Sequence, residues 1–132
     1  MKSIVKVETL KVEKDLKFQC VLPLADGVHL LAIVRHQIYK VNITDGSCNV
    51  FAGGETRGYR DGAGSDSLFY APTSLALTLD GNVLVSDEHN HLIRSIAYDG
   101  SVTTIAGVFK NGAGHFLSLS NLYILILSVI FT

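Results

Sequence analysis

An Asp-Gly pair stands at Asp26-Gly27 and again at Asp80-Gly81, another at Asp45-Gly46 and again at Asp99-Gly100, and an Ala-Gly at Ala52-Gly53 and again at Ala106-Gly107; each interval is 54 residues. Three landmarks at one spacing define a repeat. Repeats of this period are single supersecondary units that bury an apolar face only by stacking on a neighbour. The chain is therefore read as two copies of one unit before any single residue is considered.

Within each copy, apolar runs rich in Val, Ile and Leu alternate with Gly-containing turns, the pattern of short antiparallel strands joined by hairpins. Strands are predicted at 21–24, 29–34, 37–43 and 49–52 in the first unit, and at 74–79, 83–86, 92–97 and 102–105 in the second. The Asp-Gly pairs supply residues that tolerate positive φ in tight turns. Four antiparallel strands per unit make a propeller blade. The predicted fold is all-β, an incomplete propeller of about two blades. The divisions expected are a strand-like segment 1–17, a degenerate blade 18–53, a Gly-rich connector 54–71, a regular blade 72–107, and a partial connector with an apolar tail 108–132.

Eleven Lys and Arg against twelve Asp and Glu give a net charge of −1. That balance offers no field to attract nucleic acid, so a nucleic-acid partner is not expected. The two cysteines, Cys20 and Cys48, show no metal-ligand spacing and are expected to be free thiols. The first residues interleave charge with apolar side chains and lack the apolar core of a signal peptide, so a cytoplasmic location is expected.

The stretch from Pro72 to Gly107 carries Asp80, Gly81, Asn82, Val85, Asp87, Asn90, His91, Ile93, Arg94, Ile96, Asp99, Gly100, Val102, Thr104 and Ala106 at spacings that resemble the NHL repeat. The connector, through Gly58, Asp61, Gly62, Gly64, Phe69 and Pro72, is similar to the linker of a subset of that family. In the first unit Ile33, His36 and Gln37 are expected at the places of Asp87, Asn90 and His91. The resemblance implies a propeller that serves as a binding platform. It also brings alternatives: some such propellers read single-stranded RNA, and related ones are metal-dependent lactonases or amidating lyases.

Asp87, Asn90, His91 and Arg94 bracket a turn between two strands. Short Asp and Asn side chains can bond local backbone N–H groups there, and Arg94 can answer Asp87 across the hairpin. Together with Asp80, Gly81, Asn82, Asp99, Gly100 and Gly107 they are read as a structural signature that locks the blade. His89 and His91 form an His-x-His, but at a predicted turn, where solvated residues are expected in place of a metal site. No catalytic, cofactor or metal residue is assigned, and no cofactor is expected. The residues singled out for contact with a protein partner are Arg57, Tyr59 and Arg60, since Arg and Tyr are enriched at interface anchors.

After Gly107, residues 108–114 resemble 59–64, with Asn111-Gly112 in place of Asp61-Gly62, and the pattern then stops. Phe116–Phe131 is uncharged and strongly apolar, yet shorter than the 17 to 25 residues a spanning helix needs. Two expectations follow. The chain is a fragment of a larger propeller, or a unit completed by self-association; alternatively, residues 116–131 tether a binding module to a membrane.

Overall fold

The computed structural model describes residues 16–107. Eight strands make two four-stranded antiparallel sheets with the order β1-β2-β3-β4 and β5-β6-β7-β8. The first holds β1 (Cys20–Pro23), β2 (His29–Val34), β3 (Gln37–Asn42) and β4 (Cys48–Ala52); the second holds β5 (Pro72–Leu77), β6 (Val83–Asp87), β7 (Leu92–Ile96) and β8 (Val102–Gly107). The all-β fold of four-stranded antiparallel blades is borne out. The expected 74–79 strand starts two residues earlier and stops at Leu77, because Thr78 already belongs to the turn. Its backbone N–H bonds the Asn82 carbonyl at 2.8 Å, and Leu79 lies 93% exposed at the tip.

Each Asp-Gly turn closes through its own side chains. Asp99 Oδ1 accepts from the Ser101 amide at 2.9 Å and from the Ser101 hydroxyl at 2.6 Å, and Asp45 does the same for Ser47 at 2.9 and 2.7 Å. These pinned turns set the hairpin registers.

The two sheets pack face to face. Leu31, Ile33, Ile38 and Ala52 of the first meet Val83, Val85, Ile96 and Val102 of the second, with Phe69 of the connector buried among them. The far face of the second sheet carries a separate cluster of Ala76, Leu84 and Ile93 with Ala106 packed against it. Its counterparts on the first sheet are Leu22, Leu31, Ile38 and Ala52, at intervals of 54, 53, 55 and 54 residues. The landmarks thus keep the period while the two central strands slip by one residue in opposite directions.

The slip comes from the turns. The β2–β3 hairpin closes over two residues, with Val34 opposite Gln37, whereas β6–β7 spans four, with Asp87 opposite Leu92. This corrects the expected equivalences: by strand pairing, Val34 and not Ile33 stands at the place of Asp87, and Tyr39 stands at the place of Arg94. Because strand side chains alternate between faces, a one-residue slip exchanges core and outer positions. The uniform 54-residue alignment assigned the wrong face.

The expected thiols differ in burial. Cys48 is buried on β4 and Cys20 is half-buried on β1, both as free cysteines. Among the described residues no helix is long and apolar enough to cross a membrane. The 1–15 part of the N-terminal segment and everything from residue 108, including the partial connector and the apolar tail, lie outside the described residues.

Candidate functional site

Residues 53–71 cross from the outer strand of one blade to the inner strand of the next, at the end of the sheets where the β2–β3 and β6–β7 turns also lie. The connector is bonded into the fold at many points. It pairs with itself at Arg60–Leu68 and with β8 at Gly62–Val102. It makes one turn of 3-10 helix at Gly64–Asp66.

The side chain that gathers it is Arg94, on β7 and fully buried. Its Nη1 donates to Asp87 Oδ2 at 2.7 Å and to the Leu68 carbonyl at 3.0 Å; its Nη2 donates to Asp61 Oδ1 at 2.8 Å and to the Arg60 carbonyl at 2.8 Å; its Nε reaches Asp61 Oδ1 at 3.2 Å. The guanidinium lies between two rings, 4.9 Å from the centre of Phe69 and 5.0 Å from that of Tyr59. A planar fork with five donors suits this position, where a point-charge ammonium would satisfy fewer acceptors.

Asp87 completes the inner half. Oδ1 accepts from the Tyr70 amide at 2.8 Å, and Oδ2 accepts from Asn90 Nδ2 at 2.8 Å as well as from Arg94. Asn90 also donates to the Gly58 carbonyl at 2.9 Å. Burial pushes the Asp87 carboxyl above the usual carboxylate range, while Asn90, the Tyr70 amide and Arg94 pull it back. Asp61 closes the outer half, 40% exposed, accepting from the Thr104 hydroxyl at 2.9 Å and the Thr104 amide at 3.2 Å.

No buried side-chain nitrogen or oxygen among the described residues lacks a partner. A fully satisfied buried network rigidifies what it joins. Here it joins connector to blade, and the Asp87 and Arg94 side chains, both 0% exposed, present nothing to a substrate.

A second link crosses the two units. His36, in the β2–β3 turn, accepts the Ala71 amide on Nδ1 at 3.0 Å. Its ring meets Tyr70 edge-on with centroids 5.9 Å apart, and Tyr70 meets His89 at 4.7 Å. Burial, with Arg57 and Arg35 close by, holds the His36 imidazole below its usual range.

The remaining signature residues sit in turns. Gly81 and Gly100 have φ of +89° and Gly107 has +106°. A Cβ on Gly107 would lie 2.3 Å from the His91 carbonyl oxygen, a distance no side chain adopts. Asp80 bonds the Thr78 hydroxyl, and the Asn82 amide donates to that hydroxyl at 3.0 Å. His91 takes φ +57° at the end of the 3-10 turn 88–90. His89 is exposed, as expected of a turn residue, but its ring is held on Tyr70.

Arg57, Tyr59 and Arg60 all lie exposed on the connector, yet two are partly engaged. The Arg57 guanidinium stands 5.1 Å over the Tyr70 ring, and Tyr59 lies against Arg94 and receives the Thr104 hydroxyl at 3.4 Å. Sequence reasoning left Asp61 and His36 out of the site. The recurrence of Asp61-Gly62 as Asn111-Gly112 was the available signal for Asp61; nothing in the sequence marks His36, whose partner lies 35 residues away. Among the described residues no group of three His, Cys, Asp or Glu is placed to hold a metal.

Stacked four-stranded antiparallel blades joined from outer to inner strand define the β-propeller class. No family model matches the chain, and no curated protein matches it. Solved structures do. An auxiliary nutrient binding protein from Bacteroides thetaiotaomicron VPI-5482 is 20% identical with a TM-score of 0.65, over 83% of this chain and 29% of that one. Its namesake from Bacteroides ovatus ATCC 8483 is 20% identical with a TM-score of 0.59, over 66% and 25%. A further B. thetaiotaomicron protein, described only provisionally as a phosphatase, is 21% identical with a TM-score of 0.62, over 70% and 23%. The chain spans less than a third of each of these structures, and at such identities the likeness shows the fold alone.

Proposed function

We propose that this chain is a non-enzymatic binding scaffold, two NHL-type blades of a larger propeller, whose connector end recognises a protein partner. The observation that carries this reading is the closure of the Asp61–Arg94–Asp87–Asn90 network. The residues best equipped for chemistry are spent on fixing the connector, which in turn holds Arg57, Tyr59 and Arg60 at the surface on a rigid base. Preorganised Arg and Tyr side chains are what a protein interface uses as anchors. The names of two structural neighbours as nutrient-binding proteins add support for binding over catalysis.

The test replaces Tyr59 by a photo-crosslinking phenylalanine in the full chain. Illumination in cells is expected to yield a discrete protein adduct that disappears when Arg57→Ala and Arg60→Ala are combined, with the circular dichroism spectrum unchanged. An adduct indifferent to those substitutions, or one formed with RNA and lost steeply with salt, overturns the reading. An adduct between two copies assigns the face to self-association.

A further inference from the structure

At the opposite end of the strands from the connector, the two sheets part around a cavity of about 380 Å³. Its walls come from both units. Leu24, Leu31 and Phe51 face Leu77, Val83 and Ala97; Gly81 of the signature also lines it, while the Asp61–Arg94–Asp87–Asn90 network takes no part in it. A largely apolar pocket of this size with one or two convergent polar groups is the usual form of a small-molecule site.

The polar groups at its rim are Asp26, His29 and Lys40. Asp26 is committed to its own turn. Oδ1 accepts the Val28 and His29 amides, each at 2.9 Å, and Oδ2 accepts His29 Nδ1 at 2.7 Å. Those bonds, the one to the His29 ring foremost, lower its carboxyl to about 2. Lys40, on β3, has no such commitment. Its ammonium lies 5.8 Å above the Phe51 ring, and no carboxylate among the described residues pairs with it. Tyr98, 91% exposed, stands at the mouth.

An unpaired ammonium over an aromatic ring, beside an apolar cleft whose one carboxylate is engaged by the amides and the imidazole of its own turn and not by that ammonium, is complementary to an anion with an apolar body. We infer that the cleft between the two blades binds a small carboxylic acid with an aromatic or branched aliphatic body, its carboxylate on Lys40 and its apolar part against Leu24, Leu77 and Ala97. Burial of the apolar part supplies most of the affinity, and the charge-assisted bond to Lys40 selects the acid. The inference is independent of the protein-interaction reading, because it uses the other end of the strands.

Ligand-observed NMR on the full chain tests it, with phenylacetate, phenylacetamide and phenethylamine as probes. Phenylacetate is expected to bind saturably, about tenfold or more tighter than the amide. Lys40→Met, which keeps the stem but drops the charge, is expected to erase that preference. Ala97→Leu, which fills the cleft from one wall, is expected to abolish binding while the spectrum of the fold persists. Equal binding of acid and amide, preference for the amine, an unchanged preference in Lys40→Met, or no saturable binding by the wild type would each overturn the inference.

Discussion

Replacing Arg94 by Met is the sharpest perturbation the structure suggests. The substitution keeps an apolar stem of similar length between Phe69 and Tyr59 but removes five hydrogen bonds. It takes one of two donors from each of the Leu68 and Arg60 carbonyls, which keep the backbone amides of their own bridge, and leaves the Asp87 carboxylate buried with only Asn90 and the Tyr70 amide. Removing one partner of a buried ion pair costs about 3–5 kcal/mol, and each hydrogen bond lost from a carbonyl that keeps its other donor costs about 0.5–1.5 kcal/mol more. Part of that is recovered if the connector lifts and lets water in, so the expected loss is about 4 kcal/mol. Against a total of about 5–15 kcal/mol for a domain, such a loss moves the urea midpoint by a large fraction of its value. The assay is equilibrium urea denaturation of the wild type, Arg94→Met, Asp87→Leu and the double variant. Because the double variant has no stranded charge, it should be more stable than the sum of the single losses by at least about 2 kcal/mol. A single loss below about 1 kcal/mol, or strict additivity, would refute the claim that Arg94 holds the connector through Asp87.

Other outcomes follow from the same geometry. Gly107→Ala should cost several-fold more than Gly81→Ala, since both strain a positive φ by about 1–2 kcal/mol but only the Gly107 Cβ meets backbone, at 2.3 Å; thermal melts of the two variants compare them directly. The His36 imidazole is depressed, so its neutral form contributes stability that is complete above its ordinary value of 6.5 and is lost as pH falls through the lowered one. Melts from pH 7.5 to 5 should show this loss in the wild type and a flatter profile in His36→Phe, whose baseline stability is lower. Asp26, lowered to about 2, and Asp45, Asp80 and Asp99, also lowered by their turn hydrogen bonds, act in the same sense at lower pH. Stability should therefore fall as pH drops from about 4 towards 2, while Asp87, raised by burial, opposes this trend. A rise in stability over that range would contradict the turn assignments. Finally, a thiol reagent should label half-buried Cys20 in the folded chain and reach buried Cys48 only as urea unfolds it.

Much of the fold was legible because its punctuation is local. Asp45 and Asp99 close their turns within two residues, and strand periodicity between such turns follows from alternation alone. The β2 range 29–34 was read without error for that reason. What escaped was set by turn length. Two residues in one central hairpin and four in the other slide β2 and β3 by one position, and a uniform 54-residue offset cannot register two compensating slips. That is why Tyr39 in the place of Arg94 was invisible. The candidate site was legible only in its inner half: Asp87, Asn90 and Arg94 lie within one hairpin, whereas Asp61 and the Gly58, Arg60 and Leu68 carbonyls reach Arg94 and Asn90 across 26 to 34 residues of chain. A sequence announces such long-range carbonyl partners by no residue type at all, since every residue has one.

The polar network of Asp61, Arg94, Asp87 and Asn90 fixes the connector to the blade. Native-state hydrogen exchange at the Tyr70 amide measures this most directly, because that amide bonds Asp87 Oδ1 at 2.8 Å and belongs to no strand ladder. Tyr70 is expected to exchange as slowly as Val85 in the wild type, and Arg94→Met to free it while Val41, in the other sheet, stays protected. A Tyr70 amide that exchanges in the wild type as fast as that of exposed Ser65 would show that the network does not hold the connector.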